Sequence, residues 1–166
     1  MKGMLRLGRL EMKEIDQICV VVKDIKASMK HYWNLFKVGP CDVYTLAPPE
    51  LTDTTVRGKP KPYSMKIALT TVGHLALELI QPLEGESIYK EFLAEKGEGL
   101  HHIACFKVDD IDGVIKNLEG EGVGVLQSGR WQGGYFAYMD TEKALGMVVE
   151  LVKRTRERPP PEETYP

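Results

Sequence analysis

Gln17-Ile18 … Val22-Lys23-Asp24-Ile25 returns later in the chain as His102-Ile103 … Val108-Asp109-Asp110-Ile111, and this recurrence decides the fold. In each copy an apolar, β-branched run meets an acidic turn and then a segment of helical period. In the first, Asp24 stands where it would cap a helix over 25–36, with Ile25, Met29, Tyr32, Trp33 and Phe36 on one side and Gly39-Pro40 as the stop. In the second, 111–121 carries Ile111, Val114, Ile115 and Leu118 on one face, and Gly122 ends it. Outward from the first helix, strands are expected over 41–46, 64–71 and 74–80, the last two joined at Val72-Gly73. Ser87 opens a short helix. Outward from the second helix, strands are expected over 123–127, 134–139 and 147–152. Both halves therefore read strand, helix, three strands, and a repeat of this length is a structural unit. The implied organisation is an N-terminal extension (1–14), a first βαβββ module (15–83), a linker helix (84–99), a second βαβββ module (100–154) and a tail (155–166). The prolines and acidic pair of the tail predict mobility. Residues 47–62, rich in Pro, Thr and Gly, predict a long excursion of the lid or binding-loop kind.

With 166 residues and 43% apolar content, the chain can fold around its own core without covalent staples. A net charge of −2, with basic residues dispersed apart from the Lys153-Arg154-Thr155-Arg156 run, gives no phosphate-tracking face, so no nucleic acid partner is expected. Three cysteines, Cys19, Cys41 and Cys105, form neither an even set nor a CxxC pair, which points to a reducing, cytoplasmic setting. The opening residues lack the apolar core of a signal peptide, and no run is long enough to span a bilayer.

Four polar residues interrupt or close the apolar runs: Gln17 in 15–22, Glu78 in 75–80, His102 in 100–106 and Glu150 in 147–152. A half-buried strand turns an amide, two carboxylates and an imidazole inward only if something pairs with them. A divalent metal is the most economical partner, since two carboxylates neutralise it while an amide oxygen and an imidazole nitrogen complete the ligands. The competing readings are plain. Glu78 and Glu150 could be edge-strand carboxylates facing water, and Gln17 a core amide satisfied by backbone. Strand alternation puts His101 and His102 on opposite faces, so one of the two points inward. The second copy also holds one residue more between His102 and Val108 than the first holds between Gln17 and Val22, an excess that a β-bulge would absorb. Met65, Phe106, Trp131 and Tyr138 could line a pocket or fill a core. Cys19 and Cys105 read as small core filler, His31 and His74 as surface groups.

Gly97-Glu98-Gly99-Leu100-His101-His102-Ile103-Ala104, followed by Val108-Asp109-Asp110-Ile111, resembles the second-module opening of methylmalonyl-CoA epimerases. Leu77-Glu78-Leu79-Ile80-Gln81-Pro82-Leu83 is similar to the last strand of their first module, and Gly146-Met147-Val148-Val149-Glu150-Leu151 to the final strand. Over roughly residues 15–154 the chain thus resembles the vicinal oxygen chelate superfamily of glyoxalases, bleomycin-resistance proteins and dioxygenases. The resemblance implies an α+β fold in which two tandem βαβββ modules form a mixed, incompletely closed, barrel-like sheet with flanking helices. It implies one divalent ion (Co, Zn, Ni or Mn) held by Gln17, Glu78, His102 and Glu150, with Ile103-Ala104 favouring His102 over His101. It also implies a homodimer.

The chemistry that goes with such a site is proton transfer next to a carbonyl, through a metal-stabilised enolate, with Glu150 and Glu78 as opposed acid and base. A small carbonyl or acyl-CoA substrate is expected, and an epimerase, isomerase or lyase reaction. Glyoxalase I-type lactoylglutathione lyase activity and ligand sequestration of the bleomycin-resistance type are the alternatives. Two departures bear on substrate. Where the epimerases carry a catalytic Glu, this chain has Lys61-Pro62-Tyr63-Ser64-Met65, and where glyoxalase I has a glutathione-binding Arg it has Val21. An extradiol iron site wants two histidines and a carboxylate, which Gln17 and Glu78 do not supply.

Overall fold

The computed structural model describes residues 11–106, 108–154 and 158–166. Residues 1–10 of the expected extension and 155–157 of the expected tail lie outside the described residues. β1 (Gln17–Val21) leads into α1 (Ile25–Phe36). Asp24 caps this helix from the predicted position, its Oδ1 accepting from the Ala27 N–H at 3.0 Å. The helix stops before Gly39-Pro40, because Lys37 takes a left-handed φ of 57° and returns its N–H to the Trp33 and Tyr32 carbonyls. Its packed stripe is narrower than the pattern predicts: Ile25, Met29 and Tyr32 meet the sheet, while Phe36 is 76% exposed.

β2 (Cys41–Leu46), β3 (Thr52–Val56), β4 (Lys59–Pro60), β5 (Met65–Val72) and β6 (Leu75–Pro82) follow. β5 and β6 form a two-residue hairpin, with Val72 opposite Leu75 and Gly73 at φ +64°. α2 (Ile88–Glu95) is capped by Ser87, whose Oγ accepts from the Lys90 N–H at 3.3 Å. The second half holds β7 (Gly99–Cys105), α3 (Ile111–Gly120), β8 (Val125–Trp131), β9 (Gly134–Met139), the single-turn α4 (Glu142–Leu145) and β10 (Val148–Arg154). β11 (Glu163–Tyr165) closes the described chain. Among the described residues no helix is long and apolar enough to cross a membrane.

All these strands share one sheet, in the order β11-β2-β5-β6-β1-β7-β10-β9-β8-β3-β4. At its centre β1 and β7 pair antiparallel, joining the two βαβββ runs. Within each run the first and last strands pair parallel, β1 with β6 and β7 with β10. The register carries the repeat further than the sequence does. Gln17 lies opposite Ala104 and Cys19 opposite His102, while Cys19 lies opposite Glu78 and Ala104 opposite Glu150. Exchanging Gln17 with His102, Cys19 with Ala104 and Glu78 with Glu150 maps these pairings onto themselves, which is the signature of a local two-fold relation.

Pairing corrects one expectation and adds a strand in the tail. Residues 47–62 are not a loose lid: β3 and β4 form a hairpin whose β3 pairs antiparallel with β8 of the other half. Thr55 Oγ1 and Ser128 Oγ lie 2.8 Å apart, and the Arg57 N–H reaches the Leu126 carbonyl at 2.7 Å. The end of the tail forms a strand. β11 pairs with β2, and the Glu162 carboxylate accepts from the Thr45 N–H at 2.7 Å. The hairpin also fixes the curvature of the sheet. β2 and β3 stand eight places apart in the order, about 38 Å in a flat sheet at normal strand spacing. Residues 47–51 span at most about 20 Å. The sheet must therefore curl until its ends approach, yet β11 and β4 leave two unpaired edges and it does not close.

Curling makes an inner face and two outer ones. Outside, α1 packs on Val43, Ala68 and Leu79, and α3 on Cys105, Leu151 and Ala137. Inside, α2 and the curled strands enclose a third cluster that includes Cys19, Tyr89, Phe136 and Tyr138. Alternation along β1, β6, β7 and β10 sends Gln17, Glu78, His102 and Glu150 to this inner face.

Candidate metal centre and its cavity

Two neighbouring rows cross the inner face. One runs Tyr138, Glu150, Ala104, Gln17 and the other Val148, His102, Cys19, Glu78. Small residues, Ala104 and Cys19, occupy the middle of both rows, so the four longer polar side chains lean over them toward one another. All four are buried, His102 to 1% exposure. The Gln17 Nε2 donates to Glu78 Oε2 at 2.9 Å. His102 Nε2 lies 3.6 Å from that same oxygen and 3.3 Å from Glu150 Oε2. The structure therefore brings together all four residues singled out from the sequence.

His101 and His102 divide as the register demands. The β1–β7 ladder shifts at Cys19/Val20, with Cys19 opposite His102 and Val20 opposite Leu100, so His101 is the extra residue of a bulge. The bulge precedes His102 rather than following it. His101 turns away from the carboxylates into an aromatic cage, edge-on to Tyr89 and Phe92. Its Nδ1 lies 2.9 Å from Nδ1 of His102. Burial, with His102 and Lys96 nearby, pushes the His101 imidazole down to about 3, so it is neutral. It can then accept the Nδ1–H of His102, which directs His102 Nε2 at the acids.

Burial alone would lower the His102 imidazole, yet Cys19, Glu150 and Glu78 together raise it well above its ordinary value. Burial raises Glu150, against the pull of His102. Tyr138 hydrogen-bonds Glu150 and itself takes the Tyr89 hydroxyl at 2.7 Å. Burial pushes the Cys19 thiol up to about 12. Its sulfur, a Glu78 oxygen and a His102 nitrogen all fall within 4.8 Å of one another, which makes Cys19 a donor that sequence reasoning passed over as filler. Its position two residues after Gln17, on the same strand face, was the available signal.

His102 Nε2 is fully buried and, with carboxylate oxygens facing it at 3.3 and 3.6 Å, completes a hydrogen bond with neither. A buried imidazole nitrogen between two carboxylate oxygens, beside an amide that can present either end, is a donor set that fits a divalent cation. The fit rests on the chain's own geometry. A cavity of about 100 Å³, open at its mouth, stands over Gln17, Glu78 and Glu150. Met65, Phe106, Trp131 and Tyr138 all line it. Tyr63, at the position where an epimerase acid was sought, is buried and donates to the Ser128 carbonyl at 2.9 Å, a structural tie. Val21 is fully buried in the inner cluster. His31 and His74 are exposed.

A sequence model described as the Glyoxalase/Bleomycin resistance protein/Dioxygenase superfamily matches residues 16–138. The uncharacterized protein YqjC of Bacillus subtilis (strain 168) is 29% identical over 143 residues, 84% of this chain and 91% of that protein. The crystal structure of hypothetical protein BH1468 from Bacillus halodurans C-125 superposes with a TM-score of 0.65 at 26% identity, covering 88% of this chain and 97% of that one. A methylmalonyl-CoA epimerase solved with methylmalonyl-CoA and NH4+ has a TM-score of 0.56 at 25% identity, covering 87% and 97%.

Proposed function

The chain belongs to the Glyoxalase/Bleomycin resistance protein/Dioxygenase superfamily, and from that premise we propose that it is a divalent-metal-dependent epimerase, isomerase or lyase acting next to a carbonyl. The observation that carries this reading is the buried His102 Nε2, without a completed hydrogen bond, facing two opposed carboxylates that line a cavity. Gln17, Glu78, His102 and Glu150 would hold the ion, with Cys19 within reach as a softer donor. When bound, the ion supplies Lewis acidity toward a substrate carbonyl oxygen, lowering the cost of an enolate.

The remaining work falls to side chains. Glu150 and Glu78 come from β10 and β6, on opposite sides of the central strand pair. One takes the proton from the substrate carbon; the C–H electron pair becomes the enolate C=C bond as the carbonyl π pair moves onto oxygen. The other, starting protonated, returns a proton to that carbon and ends ionised. Burial raises Glu150 above its ordinary value, the direction that strengthens it as a base toward the substrate C–H. Its bond to Tyr138 fixes the carboxylate's orientation. Apolar walls exclude water from the carbanion-like state.

The substrate class that goes with the epimerase-like neighbours is a small carbonyl compound or acyl-CoA. Incubation with methylmalonyl-CoA in deuterated water, with Co²⁺, Zn²⁺, Ni²⁺ or Mn²⁺ added, tests the acyl-CoA form. Deuterium at the α-carbon is expected, and its absence with every ion would remove that substrate. The homodimer is likewise a proposal, read by sedimentation.

His101 gives a prediction of its own. His101→Phe removes the acceptor for the His102 Nδ1–H while keeping an aromatic ring in the cage. Loss of such an orienting partner costs about 10–100-fold in metal affinity. A competition titration with a metal indicator should show that loss, and His101→Gln, which keeps an acceptor, should recover most of it.

A further inference from the structure

Glu150, Val152 and Arg154 alternate to one face of β10 and all line the cavity. Four residues along a strand advance about 13 Å, so the carboxylate cluster and the Arg154 guanidinium mark opposite ends of one trough. Between them lie flat side chains: Phe136, Trp131, Tyr44 and Phe106. The Arg154 guanidinium stacks over the Phe106 ring, 3.8 Å from its centroid. Arg158 stands beside it, and both arginines also border a shallow outer groove, which places them at the mouth.

Among the described residues the other arginines are paired. Arg57 meets Glu91 at 2.6 Å and Arg130 meets Asp53 at 3.5 Å. Among the described residues neither Arg154 nor Arg158 has a carboxylate within ion-pair distance. Asp16, which also borders the outer groove, is engaged with the backbone, accepting from the Phe106 N–H at 2.8 Å. Two like charges at the lip of an apolar trough, one of them held flat by an aromatic ring, are pre-organised for an anion that enters with the ligand.

We propose that Arg154 and Arg158 form an anion-binding subsite, and that the ligand of this cavity is a flat, apolar molecule carrying a carboxylate or phosphate at the end remote from the carboxylate cluster. The proposal deepens the metal-site reading and borrows from it only the position of the reacting oxygen at the other end.

The test does not require the metal. In a Trp33→Phe background Trp131 is the remaining tryptophan, and its emission reports on the cavity. The probes are 4-phenylbutanoate, 4-phenylbutyl phosphate and the neutral 4-phenylbutanol. At least one anion should bind about tenfold tighter than the alcohol, the size of one charge-assisted contact. Which anion binds tighter distinguishes a carboxylate from a phosphate ligand. The preference should fall to near unity in Arg154→Gln/Arg158→Gln, with circular dichroism unchanged. Equal binding of all three probes overturns the proposal, as does a preference that survives the double substitution, or no saturable quenching at millimolar concentration. Elemental analysis of the same protein reports separately on the metal, so failure of one reading is visible without failure of the other.

Discussion

A Glu150→Gln protein should keep or gain thermal stability when metal-free and lose most of the stabilisation that a divalent ion gives the wild type. Without a cation, Glu78 and Glu150 share one imidazolium, since His102 is held protonated. That leaves one excess negative charge in a site where every member is buried. A buried uncompensated charge costs several kcal/mol even after relaxation. Gln is isosteric with Glu, so the substitution removes the excess charge and leaves a one-to-one pair with little change in packing. The effect on the metal runs the other way. Losing one of two anionic donors should weaken Co²⁺ or Zn²⁺ at least about 100-fold, or roughly 2.7 kcal/mol. A melting curve with and without ion reads both terms. Ion at 100 times the wild-type Kd should stabilise the wild type by about 2.7 kcal/mol and the variant by no more than about 0.4 kcal/mol. A purely structural buried ion pair would behave oppositely. Breaking it would cost about 3–5 kcal/mol, and added ion would move neither protein. That result would sink the metal reading, and with it the enolate chemistry.

The site was legible from sequence because strands report their buried face with period two, so an acid between Leu77 and Leu79, or between Val149 and Leu151, is conspicuous in one dimension. The repeat then aligned Gln17 with His102 and Glu78 with Glu150, and the register shows the same correspondence. Choosing between His101 and His102 was harder, because both are buried and a bulge cancels the alternation that would separate them. Cys19 and Tyr138 were legible only as apolar positions. Their contacts with His102 and Glu150 depend on cross-strand neighbours far apart in sequence. Arg154 looked like part of a basic run, and only the length of β10 brings it back over the cavity. The strand in the tail was not legible for a related reason. Glu163-Thr164-Tyr165 has no apolar pattern of its own and is ordered by β2 and by the Glu162 bonds to Thr45.

Residues 47–62 misled most, and they carry the second large prediction: Leu51→Ala should destabilise the protein by about 2–5 kcal/mol. A lid would tolerate that change. Thr52-Asp53-Thr54-Thr55-Val56 has no alternation that marks a strand, since exposure on both faces leaves nothing to alternate until Val56. Its pairing with β8 is instead secured by Leu51 and Val56, which enter the inner cluster at 2% and 3% exposure. Leu51 lies where the chain crosses from one end of the sheet to the other. Truncating it leaves a void at the crossing that holds the curl, and a rigid interior closes such voids only in part. At about 2–4 °C per kcal/mol for a domain of this size, the midpoint should fall by roughly 5–15 °C. Glu50→Ala, one residue away and exposed, should shift it by no more than about 1–2 °C. The same strap connects to α2 through the Arg57–Glu91 pair, and β8 carries Trp131 into the cavity. Loosening it should therefore expose Trp131 to water and red-shift its emission below the melting transition. A Leu51→Ala protein with wild-type stability and altered ligand binding alone would restore the lid. The expected pairing of lost stability with a wetter Trp131 means that a segment from the first half holds the second half's wall of the cavity in place.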